Sequence, residues 1–169
     1  ILLLAGGASA WWFLIRGTTD RKVAVVKEEP YQKPVPKPTL VPSKLSGLDV
    51  DPAVNLRPVT SVMIENSSEA RPQAGLKDAS IIFEAIAEGG ITRFNALYQD
   101  TQTDYIGPVR SVRPYYIDWF LPFDASLAHA GGSPKGLADI KSLGVKDLDQ
   151  FANSAPYNRV SNRYAPHNL

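Results

Sequence analysis

The segment from Ser80 to Gln99 constrains the fold of this chain more than any other segment does. Two runs of alternating apolar and polar residues flank Gly89-Gly90, and this pattern predicts two antiparallel strands joined by a two-residue turn. A regular ladder from that turn makes Glu84 and Arg93 diagonal neighbours on one face, within reach of an ion pair. The other face is expected to pack on the core, and it carries Ile81, Phe83, Ala85, Ala87, Thr92, Phe94, Ala96 and Tyr98.

Composition divides the chain into three parts. Residues 1–16 are apolar up to Arg16 and predict a partial transmembrane or signal anchor, with a cleaved signal peptide as the alternative. Residues 17–56 are rich in proline and charge and predict an extended, disordered linker. Residues 57–169 are long enough for one hydrophobic core and predict a globular domain. Because the chain begins with Ile1 and ends in a polar stretch at Leu169, truncation is expected at both ends.

Charge and cysteine content exclude several classes of site. The formal net charge is +1, so no global field favours nucleic acid, and nothing in the sequence resembles a nucleic-acid reader. The chain has no cysteine, which excludes disulfides and thiolate metal sites. It has two histidines without a short-spaced metal motif. We therefore expect neither a bound metal nor a cofactor.

The globular part alternates short strands with short helices. Apolar runs predict one strand over 59–64 and another over 125–130, on either side of the hairpin. Helices are predicted over 114–121, where Pro114 suits the first helical position, and over 134–143, where Ser133 suits the N-cap. The expected fold class is α+β, with a mixed sheet that includes one β-hairpin and packs with two or three short helices.

Four arginines lie in or beside turns and next to apolar elements. They are Arg71, Arg93, Arg110 and Arg113. Arginine suits a bidentate grip on a carboxylate or a phosphate, so the set predicts an anion-binding face. The alternative is four exposed or locally paired arginines. The Gly-Gly-Ser turn at Ser133 is a weaker candidate for the same face, because a helix-capping role also explains this serine.

Two glutamates and one histidine are the candidates for catalysis. Glu84 and Glu88 are four residues apart, which on one strand face separates them by about 13 Å, too far for a glycosidase pair at ~5–9.5 Å. His129 falls within an apolar strand, where a hydrogen-bonded core histidine is commoner than a catalytic one. A cell-wall hydrolase that uses Glu84 or Glu88 with His129 stays open as an alternative.

Six blocks of sequence resemble, in the same order, the YerB-like family of bacterial envelope proteins. They read RPVTSVMIEN, ARPQAGL, ASIIFEAIAEGGITRF, IGPVRSVRPYYID, HAGGSP and APHNL. The resemblance implies an extracytoplasmic location, a mixed α/β fold and a further C-terminal part, whereas the family supplies no established activity. The run LLLAGG resembles a lipobox with Gly6 or Gly7 in place of the lipid-carrying cysteine. A membrane-spanning anchor is therefore expected in place of a lipid.

Together, these features predict a membrane-anchored, extracytoplasmic domain that binds a polar or anionic ligand of the cell envelope. The predicted ligand-binding residues are Arg71, Glu84, Glu88, Arg93, Arg110, Arg113, His129 and Ser133. The membrane is the expected partner of the anchor, and no nucleic-acid partner is expected. Beside the hydrolase, the remaining alternative is a module that binds a protein partner and regulates envelope enzymes.

Overall fold

The computed structural model describes residues 39–169. The anchor predicted over 1–16 and the predicted linker up to residue 38 lie outside the described residues. Over 39–169, no helix combines the length and the apolar character that a membrane span requires.

The described residues form seven strands and two α-helices. The strands are β1 (Val41–Pro42), β2 (Asp49–Val50), β3 (Thr60–Glu65), β4 (Ile81–Glu88), β5 (Ile91–Tyr98), β6 (Ser126–His129) and β7 (Lys146–Asp149). The helices are α1 (Pro114–Phe120) and α2 (Pro134–Ser142). Short 3-10 helices occupy Pro52–Leu56, Ser68–Ala70, Leu76–Asp78 and Leu121–Phe123. The predicted fold class, an α+β fold whose mixed sheet includes one hairpin, is confirmed.

Strands β3 to β7 form one mixed sheet in the order β4-β5-β3-β6-β7. The three strands β4, β5 and β3 pair antiparallel, whereas β6 lies parallel to β3 and β7 lies parallel to β6. Helix α2 connects the parallel strands β6 and β7, as such a crossover requires. The sheet therefore has two outer strands, β4 and β7, within the described residues.

Both helices begin at the residues that the sequence predicts. Pro114 opens α1 because its fixed φ suits a first helical position and its missing N–H has no partner to lose there. The Ser133 hydroxyl accepts a hydrogen bond from the Gly136 N–H at 3.2 Å and so caps α2. Gly144 follows the last turn of α2 with φ +65°, a conformation that glycine adopts readily.

Each face of the sheet packs against a different part of the chain. On the helix face, α1 and α2 bury a cluster formed by Met63, Leu97, Val112, Tyr116, Ile117, Phe120, Ala125, Leu127 and Ile140. On the loop face, irregular segments bury a second cluster formed by Val62, Ile64, Ala96, Tyr98, Val109 and Leu169. Because β3 and β5 lie inside the sheet, their side chains contribute to both clusters and alternate between them.

The hairpin ladder skips one residue near its turn. Glu88 pairs with Ile91 as the sequence predicts, but Ile86 pairs with Thr92, so Ala87 is left without a partner on β5. An unpaired residue of this kind is a β-bulge, which shifts the register of everything beyond it by one residue.

The bulge changes which residues of β5 face the helices. Ala85 lies opposite Arg93, so Arg93 shares the helix face with the odd-numbered residues of β4, and Glu84 lies on the loop face. The predicted ion pair of Glu84 with Arg93 is therefore wrong. The predicted core face is correct for β4 but wrong for β5, whose Phe94 and Ala96 pack in the loop-face cluster.

Residues 41–56, which composition places in the linker, carry regular structure. Strands β1 and β2 pair antiparallel, and Ser43 stabilises the turn between them because its hydroxyl accepts hydrogen bonds from the Leu45 and Ser46 N–H groups, both at 3.1 Å. The same hydroxyl donates to Asp100 Oδ1 at 2.6 Å. Ser43 thus caps the turn between β1 and β2 and bonds it to Asp100, so the folded domain begins N-terminally of residue 57.

Candidate functional site

Most of the predicted site residues lie along one edge of the sheet. Strands β4, β6 and β7 all run in the direction of β3, so their carboxyl ends meet at one edge, where β5 begins. This carboxyl edge carries Glu88 at the end of β4, Arg93 near the start of β5 and His129 at the end of β6. Sheets with parallel strands commonly bind ligands beyond such ends.

Residues 107–113, the crossing segment, run along the carboxyl edge between β3 and the exit of β6. The Arg110 N–H donates to the Met63 carbonyl at 2.9 Å, and the Arg110 carbonyl accepts from the Ala130 N–H at 3.0 Å. At its far end the Val112 N–H donates to the Gly131 carbonyl at 3.0 Å. These bonds to both strands fix the backbone from which Arg110 and Arg113 project.

Arg93 and Arg113 bind the same carboxylate, that of Glu88, and together the three residues form the bridged arginine pair. Arg93 Nη2 lies 2.9 Å from Glu88 Oε2, and Arg113 forms an ion pair with Glu88 Oε1. The crossing segment holds both guanidinium groups, because Arg93 Nη1 donates to the Ser111 carbonyl at 2.7 Å and Arg113 Nη1 donates to the Val112 carbonyl at 2.6 Å.

The two arginines of the bridged arginine pair are more buried than the glutamate that joins them. The side chain of Arg93 is 8% exposed and that of Arg113 is 20% exposed, whereas that of Glu88 is 52% exposed. Partial burial acts to raise the pKa of Glu88, but the charges and hydrogen bonds of the two arginines outweigh it and hold this pKa below its usual value. Glu88 is therefore an ionised, half-exposed carboxylate over two largely covered cations.

Arg110 belongs to a separate ion pair on the same edge. Its guanidinium contacts the buried carboxylate of Glu65, the last residue of β3. Arg110 Nη2 also lies 3.3 Å from His167 Nδ1. The structure thus places Arg110 at the carboxyl edge but pairs it with an acid and a histidine from outside the predicted set.

Arg71 and Glu84 meet on the loop face through the amide of Asn66. Arg71 Nε donates to Asn66 Oδ1 at 3.1 Å, and Asn66 Nδ2 donates to Glu84 Oε1 at 3.1 Å. The Thr92 hydroxyl donates to the same Glu84 oxygen at 2.6 Å. This network ties the loop after β3 to the hairpin, and it lies on the other side of the sheet from the bridged arginine pair.

His129 is enclosed, with a hydrogen-bond acceptor at each ring nitrogen. Its side chain is fully buried, Nδ1 lies 2.7 Å from the Gly131 carbonyl, and Nε2 lies 2.9 Å from Asp147 Oδ1. Each ring nitrogen thus has a protein oxygen within hydrogen-bond distance. His129 therefore fastens the start of the β6–α2 turn to β7, and its ring presents no free nitrogen to a substrate.

The catalytic pair of the hydrolase alternative is not assembled. Glu84 lies on the loop face, Glu88 is bound by two arginines, and both nitrogens of His129 are occupied. Within residues 39–169, no group of three His, Asp or Glu side chains is placed to hold a metal ion.

A largely apolar cavity lies on the loop face and not at the arginines. It has a volume of about 240 Å³, and Val62, Val109, Ala128 and Tyr157 are among the residues that line it. None of the predicted ligand-binding residues belongs to its lining. The predicted arginines and glutamates thus divide among three polar clusters and do not line one open concavity. The clusters are the bridged arginine pair, the Arg110–Glu65 ion pair and the Arg71–Asn66–Glu84 network.

Sequence reasoning missed the acceptors that hold these side chains. Glu65 is the last residue of β3 and Asn66 follows it. A polar pair at the end of a buried strand is a signal that could have marked them as partners for arginine. Ser111 contributes through its carbonyl and Asp147 through a carboxylate from β7. No local pattern indicates these last two contacts, because each joins segments far apart in the chain.

Comparison with known proteins assigns the chain to a family. A family model described as "Protein of unknown function (DUF3048) N-terminal domain" matches residues 45–169. "Putative lipoprotein YerB" of Bacillus subtilis (strain 168) is 41% identical over 98 residues, which are 58% of this chain and 30% of that protein. The crystal structure of the YerB protein from Bacillus subtilis superposes with a TM-score of 0.72 at 34% identity, over 76% of this chain and 44% of the other.

The matched region spans less than half of each of these two relatives. The family model nevertheless covers every element from β2 onward, and the likeness to the solved structure agrees with it. The resemblance of the six sequence blocks is thereby confirmed, and the chain belongs to the YerB-like family of proteins of unknown function, DUF3048, whose N-terminal domain it carries.

Proposed function

We propose that the domain lies outside the cytoplasm, attached to the membrane, and binds an anionic ligand of the cell envelope at the bridged arginine pair. Two observations support the location: a relative that is 41% identical carries the name of a lipoprotein, and residues 1–16 have the composition of an anchor. The observation that carries the binding proposal is that Arg93 and Arg113 converge on one half-exposed carboxylate.

Glu88 occupies the position that a ligand carboxylate or phosphate would take. Both guanidinium groups are held by backbone carbonyls of the crossing segment, so they are oriented before any ligand arrives, which lowers the entropic cost of binding. Glu88 lies next to the two-residue turn of the hairpin, where a small rotation of one side chain opens the pair. An incoming anion then replaces one charge-assisted contact with another.

Substitutions at this site should change affinity in opposite directions. Glu88→Gln removes the competing charge, worth about 1 kcal/mol at an exposed position, so we expect roughly fivefold tighter binding. Arg113→Ala removes one cation and should weaken binding about tenfold or more. Isothermal titration of the purified chain with soluble peptidoglycan fragments, and separately with phosphate-bearing wall polymer, measures both changes. It also distinguishes a carboxylate from a phosphate ligand.

A matched control separates site binding from general charge. Lys135 forms an exposed ion pair with Asp139 on α2, so Lys135→Ala also removes one positive charge and should leave the affinity unchanged. If Glu88→Gln and Arg113→Ala shift the affinity in the same direction, or if Lys135→Ala weakens binding as much as Arg113→Ala does, the proposed site is wrong.

A further inference from the structure

Within residues 39–169 no strand pairs with the outer side of β4, and the Tyr115 hydroxyl donates to the Ile86 carbonyl of this strand at 2.8 Å. β4 is eight residues long and is the last strand of the sheet, with β5 as its one paired neighbour there. A long outer strand presents a row of backbone donors and acceptors to any strand that comes beside it. Natural edges are blocked by proline, by charged side chains or by bulges. β4 contains no proline and no lysine, and its protection is limited to two glutamates and the bulge at Ala87.

The loop face of β4 carries an exposed stripe that alternates apolar and acidic side chains. Ile82 is 44% exposed, Ile86 is 66% exposed, and the exposed Glu84 lies between them. Exposed isoleucines grouped on one strand, and not scattered singly, are typical of an interaction surface.

Glu84 gives this stripe a charge preference. Both hydrogen bonds that the described residues make to its carboxylate, from Asn66 and from Thr92, go to Oε1. These bonds fix the side chain while Oε2 stays open to a further donor. A cation directly opposite Glu84 on an added strand would form an ion pair with the carboxylate, since opposite charges at facing positions stabilise a pair of strands.

The helix face of the same edge is aromatic. Phe83 packs against Trp119 with ring centroids 5.7 Å apart, and Trp119 is itself 37% exposed. The ring centroid of Tyr115 also lies 5.7 Å from that of Trp119. An added strand would therefore find apolar surface on both faces of β4, with the single open charge on the loop face.

We propose that the outer edge of β4 binds an extended segment of a protein partner, and that this segment presents an apolar–basic–apolar pattern to Ile82, Glu84 and Ile86. Backbone hydrogen bonds to the edge supply affinity, and the alternate side chains supply specificity. A second copy of β4 is a poorer occupant, because it would add acidic residues to an edge that already carries Glu84 and Glu88. The proposed contacts lie on the loop face of β4, whereas the bridged arginine pair lies on the helix face.

Two synthetic peptides test the charge and the strand geometry together. The peptide acetyl-SVTKTVS-amide carries valine, lysine and valine on one face, and acetyl-SVTETVS-amide carries glutamate at the central position. Fluorescence anisotropy of labelled peptides with the purified chain should show at least tenfold tighter binding of the lysine peptide. Amide hydrogen exchange should slow at β4 and stay unchanged at β7, the other outer strand.

Variants of the chain then assign the binding to the stripe. Glu84→Gln keeps an acceptor for Asn66 and Thr92, so the fold is retained while the preference for the lysine peptide should fall about tenfold. Ile86→Lys should abolish binding, whereas Leu143→Lys, at an exposed position directly after α2, should not. Arg113→Ala should leave peptide binding unchanged. A failure of the peptide-binding proposal can therefore be distinguished from a failure of the anion-binding proposal.

Three results would overturn the proposal. Equal binding of the two peptides removes the charge argument, and exchange protection outside β4 places the peptide elsewhere. Sedimentation of the chain as a dimer that Ile86→Lys converts to a monomer assigns the edge to a second copy of this chain and not to a partner peptide.

Discussion

Arg93 pairs with Glu88, at 2.9 Å between Nη2 and Oε2, and not with Glu84, because the hairpin ladder skips Ala87. The bulge leaves Glu88 on the helix face beside Arg93 and moves Glu84 to the loop face. One extra residue therefore gives the two acids of β4 different partners. Glu88 forms ion pairs with arginines, and Glu84 accepts hydrogen bonds on the loop face.

The contribution of the bridged arginine pair to the free energy of unfolding should fall at acid pH. The pKa of Glu88 is lowered in the folded chain from the ordinary value of 4.5, so its ionised form stabilises the fold fully above pH 4.5, and this contribution disappears as the pH falls through the lowered pKa. Because Glu88 is half exposed, we expect less than about 1 kcal/mol. Urea unfolding at pH 7 and at pH 3 should show that the difference between wild type and Glu88→Gln shrinks at the lower pH.

The exposed Asp118 on α1 is the control for that measurement. Asp118→Asn removes one carboxylate that makes no ion pair within the described residues, so its effect should be smaller than that of Glu88→Gln at pH 7. A difference between wild type and Glu88→Gln that grows as the pH falls would contradict the assignment of Glu88.

Most element positions of the described domain are predictable because they depend on local signals. Pro114, Ser133 and the Gly89-Gly90 turn act on their own neighbours, and the structure places elements at all of them. The bulge at Ala87 has no such signal: alanine fits either face of a strand, and the register is decided by which β5 residues pack on α1. The residues of the candidate site were predictable singly, but not their partners, since each pairing depends on that register or on the path of the crossing segment.

The hydroxyl of Tyr116 should contribute measurably to the packing of the hairpin on α1. It donates to the Arg93 carbonyl at 2.6 Å and also lies 3.1 Å from the Ala85 carbonyl. Burial raises the pKa of Tyr116 well above its usual value, so the group stays a donor. Tyr116→Phe should lower the free energy of unfolding by about 1–2 kcal/mol, because it removes a hydrogen bond from a buried position.

The neighbouring Tyr115 offers a matched comparison. Its hydroxyl donates to the Ile86 carbonyl at 2.8 Å in an exposed position, where water replaces a lost bond. Tyr115→Phe should therefore cost about 0.5 kcal/mol or less. Equal losses for the two variants in urea unfolding would show that the Tyr116 hydroxyl is not effectively buried.

The hairpin turn should tolerate asparagine better than alanine. Gly89 and Gly90 have φ values of +59° and +76°, which are the left-handed values that a type I′ turn requires at both central positions. A Cβ at Gly90 meets no atom within 4 Å, so the cost of substitution is conformational and not steric. Gly90→Ala should destabilise the chain by about 1 kcal/mol and Gly90→Asn by less, as measured by thermal unfolding. Equal values would contradict the turn geometry.

His129 should act on stability and not on chemistry. Its buried ring bonds Gly131 and Asp147 at the same time, so His129→Gln leaves at least one of these acceptors without a donor and should lower the free energy of unfolding by about 2–4 kcal/mol. Asp147 is partly exposed, so after Asp147→Asn water and the new amide can form hydrogen bonds with the imidazole ring. This variant should lower the free energy of unfolding by about half as much or less. Urea unfolding of both variants gives the two values. A His129→Gln variant as stable as the wild type would remove the structural role, and it would restore His129 as a candidate for catalysis.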